Sequence, residues 1–166
     1  MHEIDLGLAM KEGMRRLASG VAVLSSCGLG NVRHAMTVSS VTSVSDSPAS
    51  LLVCVHEQTV MHELLANLGD PFVINILSAA QQDISNLCAG GDQGEGRFTL
   101  GDWQQGFDQQ PYLADSLAVF FCRSAQMQSY GTHKIIVGEI KHVFVGESAV
   151  DPLVYADGGY VGIEKL

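Results

Sequence analysis

The run His34-Ala35-Met36-Thr37-Val38-Ser39-Ser40-Val41-Thr42-Ser43-Val44-Ser45 packs hydroxyl-bearing and β-branched residues more densely than any other part of the chain. Thr and Val favour extended backbone, and neither Gly nor Pro interrupts the run, so an unbroken strand is expected. The alternation slips, however. Met36 and Val38 share one face, Val41 falls on the other, and Val44 returns to the first. A strand repeats its faces every two residues, so each slip requires a bulge, a turn or a change in which face is buried. A slip near Ser39-Ser40 frees backbone N–H groups beside several hydroxyls, which suits a donor-hungry ligand edge or a phosphate. A Ser/Thr-rich strand with one face in water explains the same composition. The run alone does not separate the two.

Upstream, Leu6, Met10, Met14 and Leu17 recur at spacings of four, four and three, one apolar stripe of a helix over 4–18. Residues 21–26 read as a short strand, and 27–32 as a Gly/Asn-rich hairpin turn into the central run. Downstream, Asp46-Ser47-Pro48 is a turn, and 50–56 a continuous apolar strand covered on both faces. Thr59 is placed to cap a helix over 60–67, Gly69-Asp70-Pro71 stops it, and 72–77 is a further strand. Ser78 and Gln81 have capping-box spacing for a helix to about Cys88. The four glycines within 89–96 predict a mobile loop. Residues 97–113 read as an ordered loop packed by Phe98, Trp103, Phe107 and Tyr112. Two long strands follow, over 117–127 and 133–145, and 152–160 closes with two short strands about Asp157-Gly158. Strands outnumber helices and mostly succeed one another directly. That favours one mainly β domain over 1–166, a closed antiparallel barrel with a few peripheral helices.

The composition narrows the function classes. At 46% hydrophobic and 16% charged, the 166-residue chain is somewhat apolar, which leans toward a subunit interface. No apolar run approaches the roughly 20 residues of a membrane helix. The acidic start Met1-His2-Glu3-Ile4-Asp5 does not resemble a signal peptide, so a cytoplasmic protein with no membrane partner is expected. Nine basic residues are spread thinly through a chain of net charge −9, which argues against nucleic-acid binding. Cys27, Cys54, Cys88 and Cys122 form no CxxC pair and read as buried free thiols.

Acid–base machinery is scarce. The chain has no Walker loop, GxGxxG, GxSxG or HExxH motif. No neighbouring carboxylate completes an obvious metal triad with His56 and His62, so no metal is expected. His133 follows Gly131-Thr132 at a strand mouth, where loops carry function, although a surface histidine fits there equally. Tyr155 and Tyr160 bracket the Asp157-Gly158-Gly159 turn, and either stack on a planar ring or close the barrel end. Hydride or electron transfer suits such a chain, because a bound organic cofactor carries the reactive atoms.

With these segments in place, the chain resembles the short-chain flavin reductases, the small components of two-component flavin monooxygenases, from about Met14 to Tyr160. The resemblance is carried by Ala22-Val23-Leu24, the run 36–45, Pro48-Ala49-Ser50-Leu51-Leu52-Val53-Cys54-Val55, Phe72-Val73-Ile74-Asn75-Ile76-Leu77-Ser78, Arg97-Phe98, Gly131-Thr132-His133 and Pro152-Leu153-Val154-Tyr155. It implies an FMN-binding split β-barrel of antiparallel Greek-key type, assembled as a homodimer with flavin near the subunit interface. By that similarity Thr37, Val38, Ser39 and Ser40 hold the isoalloxazine edge. Cys54, Val55 and Thr59 line the ribityl and phosphate region, and Asn75 and Leu77 complete the pocket. His133, Tyr155 and Tyr160 lie on the nicotinamide side. The implied activity is hydride transfer from NADH or NADPH to FMN or FAD, with no side chain as general base and reduced flavin passed to a monooxygenase. The turn at Gly158-Gly159 carries no basic side chain, which keeps a non-enzymatic flavin-binding module open as a second reading. A plain β-barrel interaction module is a third.

Overall fold

The computed structural model describes residues 5–90, 93–147 and 149–164. The elements are α1 (Leu6–Met14), β1 (Ser19–Gly20), β2 (Ala22–Cys27), β3 (Arg33–Val38), β4 (Thr42–Asp46), β5 (Ala49–His56), α2 (Val60–Leu64) and β6 (Pro71–Ile76). They continue with α3 (Gln82–Ala89), β7 (Trp103–Gln105), β8 (Pro111–Leu113), β9 (Ala118–Tyr130), β10 (His133–Val145), β11 (Val154–Ala156) and β12 (Gly159–Val161).

The central run is two strands, not one. β3 pairs with β2 and β4 with β5, and these pairs stand at opposite ends of a seven-stranded antiparallel sheet ordered β3-β2-β6-β9-β10-β5-β4. Only Ser39, Ser40 and Val41 separate the two edge strands, and so short a segment spans little more than about 14 Å. The sheet must therefore curl until its edges approach. Ser40 seals the corner: its Oγ accepts the Cys54 N–H at 3.0 Å and donates to the Cys54 carbonyl at 3.3 Å, standing in for a ladder pair. Those bonds extend the β4–β5 ladder and leave β3 unpaired with β4, so the expected closed barrel is instead open along this seam, a split barrel. The turn also explains the slip in alternation: Met36, Val38 and Val41 all face the same interior despite their parity.

That interior holds Leu24, Val38, Leu51, Val53, Val55, Phe72, Ile74, Cys122 and Ile136. The outer face of β2 and β3 carries a second apolar layer, in which Val21, Val23 and Ala35 meet Leu77, Ile84, Cys88, Phe98, Leu113 and Leu153. Strand alternation places Leu24 in one layer and Val23 in the other. Thr37 thus points away from the barrel and toward α3, where its hydroxyl donates to the Ser85 carbonyl at 2.6 Å.

Several expectations need correction. β5 is not covered on both faces: Leu51, Val53 and Val55 are buried, while Leu52, Cys54 and His56 on the other face are half-buried. α2 ends at Leu64, where the buried Lys134 donates to the carbonyls of His62 and Leu65. Residues 97–113 contain the β7–β8 hairpin, because Asn75 reaches across to accept the Leu113 N–H at 2.8 Å. The loop expected over 89–96 falls partly outside the described residues at 91 and 92. Its described end, Gly94–Phe98, is a 3₁₀ turn fixed by Arg33 on Glu95 and by Arg97 donating to the Ala35 carbonyl. The capping box of Ser78 and Gln81 forms as expected, opening a 3₁₀ turn that leads into α3. The first helix, capped by Asp5 on Gly7 and Leu8, ends at Met14, short of the expected 18, and residue 4 of the expected span lies outside the described residues. Its stripe of Leu6, Met10 and Met14 is exposed in the single chain.

Candidate functional site

Two clefts flank the outer face of β3 and share Thr37 and Ala89 in their walls. The larger, about 500 Å³, lies between the end of β3, α3 and the β11–β12 hairpin, with Ser39, Ser85, Asn86, Tyr155 and Tyr160 in its lining. That volume is in the range that small-molecule sites occupy. The smaller, about 200 Å³, lies between β3 and the start of α2, with His34, Gln58, Thr59 and Arg97 in its lining.

The corner between β3 and β4 carries the donors. Among the described residues, the amide N–H groups of Ser39, Ser40 and Val41 meet no protein acceptor. Such groups are costly to bury unpaired, so a corner of free donors beside a cleft is a ready cradle for an acceptor-rich ligand edge. Val38, the last residue of β3, is buried and faces the barrel, so only its main chain contributes here.

The aromatic wall is fixed by hydrogen bonds. Tyr160 and Tyr155 stand opposite each other in the β11–β12 ladder, with ring centroids 5.4 Å apart and edge-to-face. The Tyr160 hydroxyl pairs with Ser85 Oγ at 2.8 Å and reaches Asn86 Oδ1 at 3.1 Å. α3 and the C-terminal hairpin are thereby pinned across the cleft.

Not every expected site residue reaches a cleft. Asn75 and Leu77 are fully buried. Asn75 spends its amide on the Val23 carbonyl, Ser25 Oγ and the Leu113 N–H, so it braces the wall from behind. Leu77 packs in the outer layer. Val55 is also fully buried, inside the barrel. Cys54 is half-buried and meets the site through Ser40. Thr59 lines the smaller cleft, but its hydroxyl is engaged in capping α2, donating to the His56 carbonyl at 2.8 Å and accepting the His62 N–H. His133 lines neither cleft. It opens β10, pairs its Nδ1 with Thr132 Oγ1 at 2.9 Å, and packs edge-on against His56 at 4.9 Å. The structure therefore groups Tyr155 with Tyr160 and separates both from His133 within one chain.

Sequence reasoning passed over Ser85, Asn86, Gln58 and Arg97 as site residues. Arg97 had a signal: it is the sole Lys or Arg between Arg33 and Arg123. Ser85 and Asn86 had none beyond their place on an amphipathic helix. Of the four cysteines expected to be buried, Cys88 and Cys122 are, while Cys27 and Cys54 are half-buried. Thiol chemistry has no support in the smaller cleft, where burial pushes the lining Cys88 up to about 11. No three potential metal ligands cluster among the described residues.

With this geometry in hand, comparison with known proteins places the chain in a class: it belongs to the flavin reductase like domain family, whose pattern matches residues 14–164. It is 37% identical over 156 residues to the reductase component of the FADH(2)-dependent resorcinol hydroxylase of Rhizobium sp. (strain MTP-10005), covering 93% of this chain and 86% of that protein. It is 33% identical to the FMN reductase (NADH) RutF of Stutzerimonas stutzeri, covering 93% and 87%. Among solved structures, BorF, the flavin reductase component of a bacterial two-component tryptophan halogenase, superposes with a TM-score of 0.85 at 30% identity, covering 96% and 99%. The expected family and split-barrel fold are borne out.

Proposed function

We propose that the protein is an NADH-dependent flavin reductase that reduces FMN, or FAD, for a partner oxygenase. The observation that carries this reading is the corner of three acceptor-free amides, Ser39 to Val41, beside a tyrosine-walled cleft. The pyrimidine edge of a flavin offers carbonyl oxygens and ring nitrogens to such donors, and negative charge gathers on that edge as the ring is reduced. Bound flavin supplies the hydride-accepting ring. The chain's own part is alignment: Thr37 to Ser40 would hold the ring edge, and Tyr155 and Tyr160 would wall the nicotinamide side. Cys54, Thr59 and Arg97 border the ribityl and phosphate region, with Asn75, Leu77 and Val55 as rigid support. No general base is required. NADH is the favoured donor, NADPH the alternative. Relatives named as reductase components of a hydroxylase and of a halogenase support an oxygenase as recipient.

The same reading makes the protein a single-domain cytoplasmic homodimer. The exposed stripe of Leu6, Met10 and Met14 on α1, and the wholly exposed edge strand β4, supply apolar and pairing surface for a second copy. His133, remote from the tyrosine pair in one chain, then serves the nicotinamide side from across the interface. Among the described residues, no helix is long and apolar enough to cross a membrane.

Steady-state NADH oxidation with added FMN or FAD tests the function, and flavin-stimulated turnover is expected. Flavin retained through gel filtration without NADH or NADPH oxidation would instead identify a binding module. Sedimentation of the Leu6→Asp, Met10→Asp double variant tests the assembly, with a monomer expected where the parent chain is a dimer.

A further inference from the structure

The wall of the larger cleft is uncharged, built from groups such as Thr37, Ser39, Ser85, Asn86 and the two tyrosines. A nicotinamide dinucleotide brings two phosphate charges to a chain of net charge −9, and no cation in that wall meets them. A cation does stand at the rim, delivered from the far end of the chain. Arg15 is the C-cap of α1, and its carbonyl accepts the Asp157 N–H at 2.7 Å, tying the helix end to the tip of the β11–β12 hairpin. Its guanidinium lies over Gly158: a Cβ built there would stand 3.8 Å from Nη1 and 3.9 Å from Cζ. Gly158, at φ +80°, is itself part of the cleft lining. Its ion pair with Glu12 is long, at 3.7 Å, and Glu12 is shared with Arg16 at 3.4 Å, two cations on one carboxylate. The Arg15 side chain is 59% exposed, so a ligand at the rim reaches it without unpacking the core.

We infer that Arg15 is a donor-binding residue that pairs with the pyrophosphate of the reduced nicotinamide dinucleotide while its nicotinamide lies in the tyrosine-walled cleft. The inference rests on the reductase reading above and adds to it the residue that selects a phosphate-bearing donor. Arginine suits the task, since its planar fork binds phosphate oxygens in pairs.

The test compares two hydride donors with FMN as acceptor: NADH, and 1-benzyl-1,4-dihydronicotinamide, which carries no phosphate. In Arg15→Gln the KM for NADH should rise about tenfold, the size of one charge-assisted hydrogen bond. The kcat with NADH should change little, and kcat/KM for the benzyl donor should match that of the parent enzyme. Arg15→Lys should recover part of the NADH affinity. An unchanged KM for NADH, or an equal loss with both donors, overturns the assignment. A parent enzyme that oxidises neither donor defeats the reductase reading itself, and the assignment falls with it.

Discussion

The two halves of one Ser/Thr-rich run, β3 and β4, have similar composition and opposite fates. β3 is sandwiched: Met36 and Val38 face the barrel core, while Ala35 and Thr37 meet the second layer under α3. β4 is exposed at every residue and held only along β5. Neither propensity nor pattern distinguishes them. The difference lies in what covers each edge of the sheet, since burial is conferred by elements distant in sequence and not by the strand itself. The clefts follow the same line: both sit along β3, and no residue of β4 lines either.

That contrast is open to breakage at graded cost. Asn75, two strands from β3, should matter most. Asn75→Ala leaves the Leu113 N–H, the Val23 carbonyl and Ser25 Oγ short of a partner in a fully buried place. A loss of about 3 kcal/mol in urea-unfolding stability is expected. Ser40→Ala removes the corner seal and strands the Cys54 N–H, which should cost about 1–2 kcal/mol and weaken FMN binding in a fluorescence titration. Thr37→Val keeps the shape of β3 but deletes the bond to the Ser85 carbonyl, for about 1 kcal/mol by the same unfolding assay. Ser43→Ala, on the exposed strand, should change stability by less than about 0.5 kcal/mol and leave FMN affinity intact. If Ser43→Ala equalled Ser40→Ala in either readout, the division of the run into a working half and a bare half would fail.

Much of the fold was legible because its signals are local. The capping box at Ser78 and Gln81, the Asp157-Gly158 turn and the two long strands all declare themselves within a few residues. The slip at Ser39-Ser40 was visible as a broken parity, but whether it meant bulge or turn depended on β2 and β5 claiming the two halves. The site was less legible. Thr37, Ser39, Tyr155 and Tyr160 line the larger cleft. Asn75 and Leu77 do not, because strand alternation and the β7–β8 hairpin bury them. Arg15 was invisible as a site residue, since its position depends on a main-chain bond between residues 15 and 157.

Amide hydrogen exchange with and without FMN tests the central claim most directly. If the corner between β3 and β4 cradles the flavin edge, the N–H groups of Ser39, Ser40 and Val41, which have no acceptor among the described residues, should slow markedly when FMN is added. Exchange over that segment that stays unchanged at saturating FMN, with protection arising only elsewhere, would contradict the account.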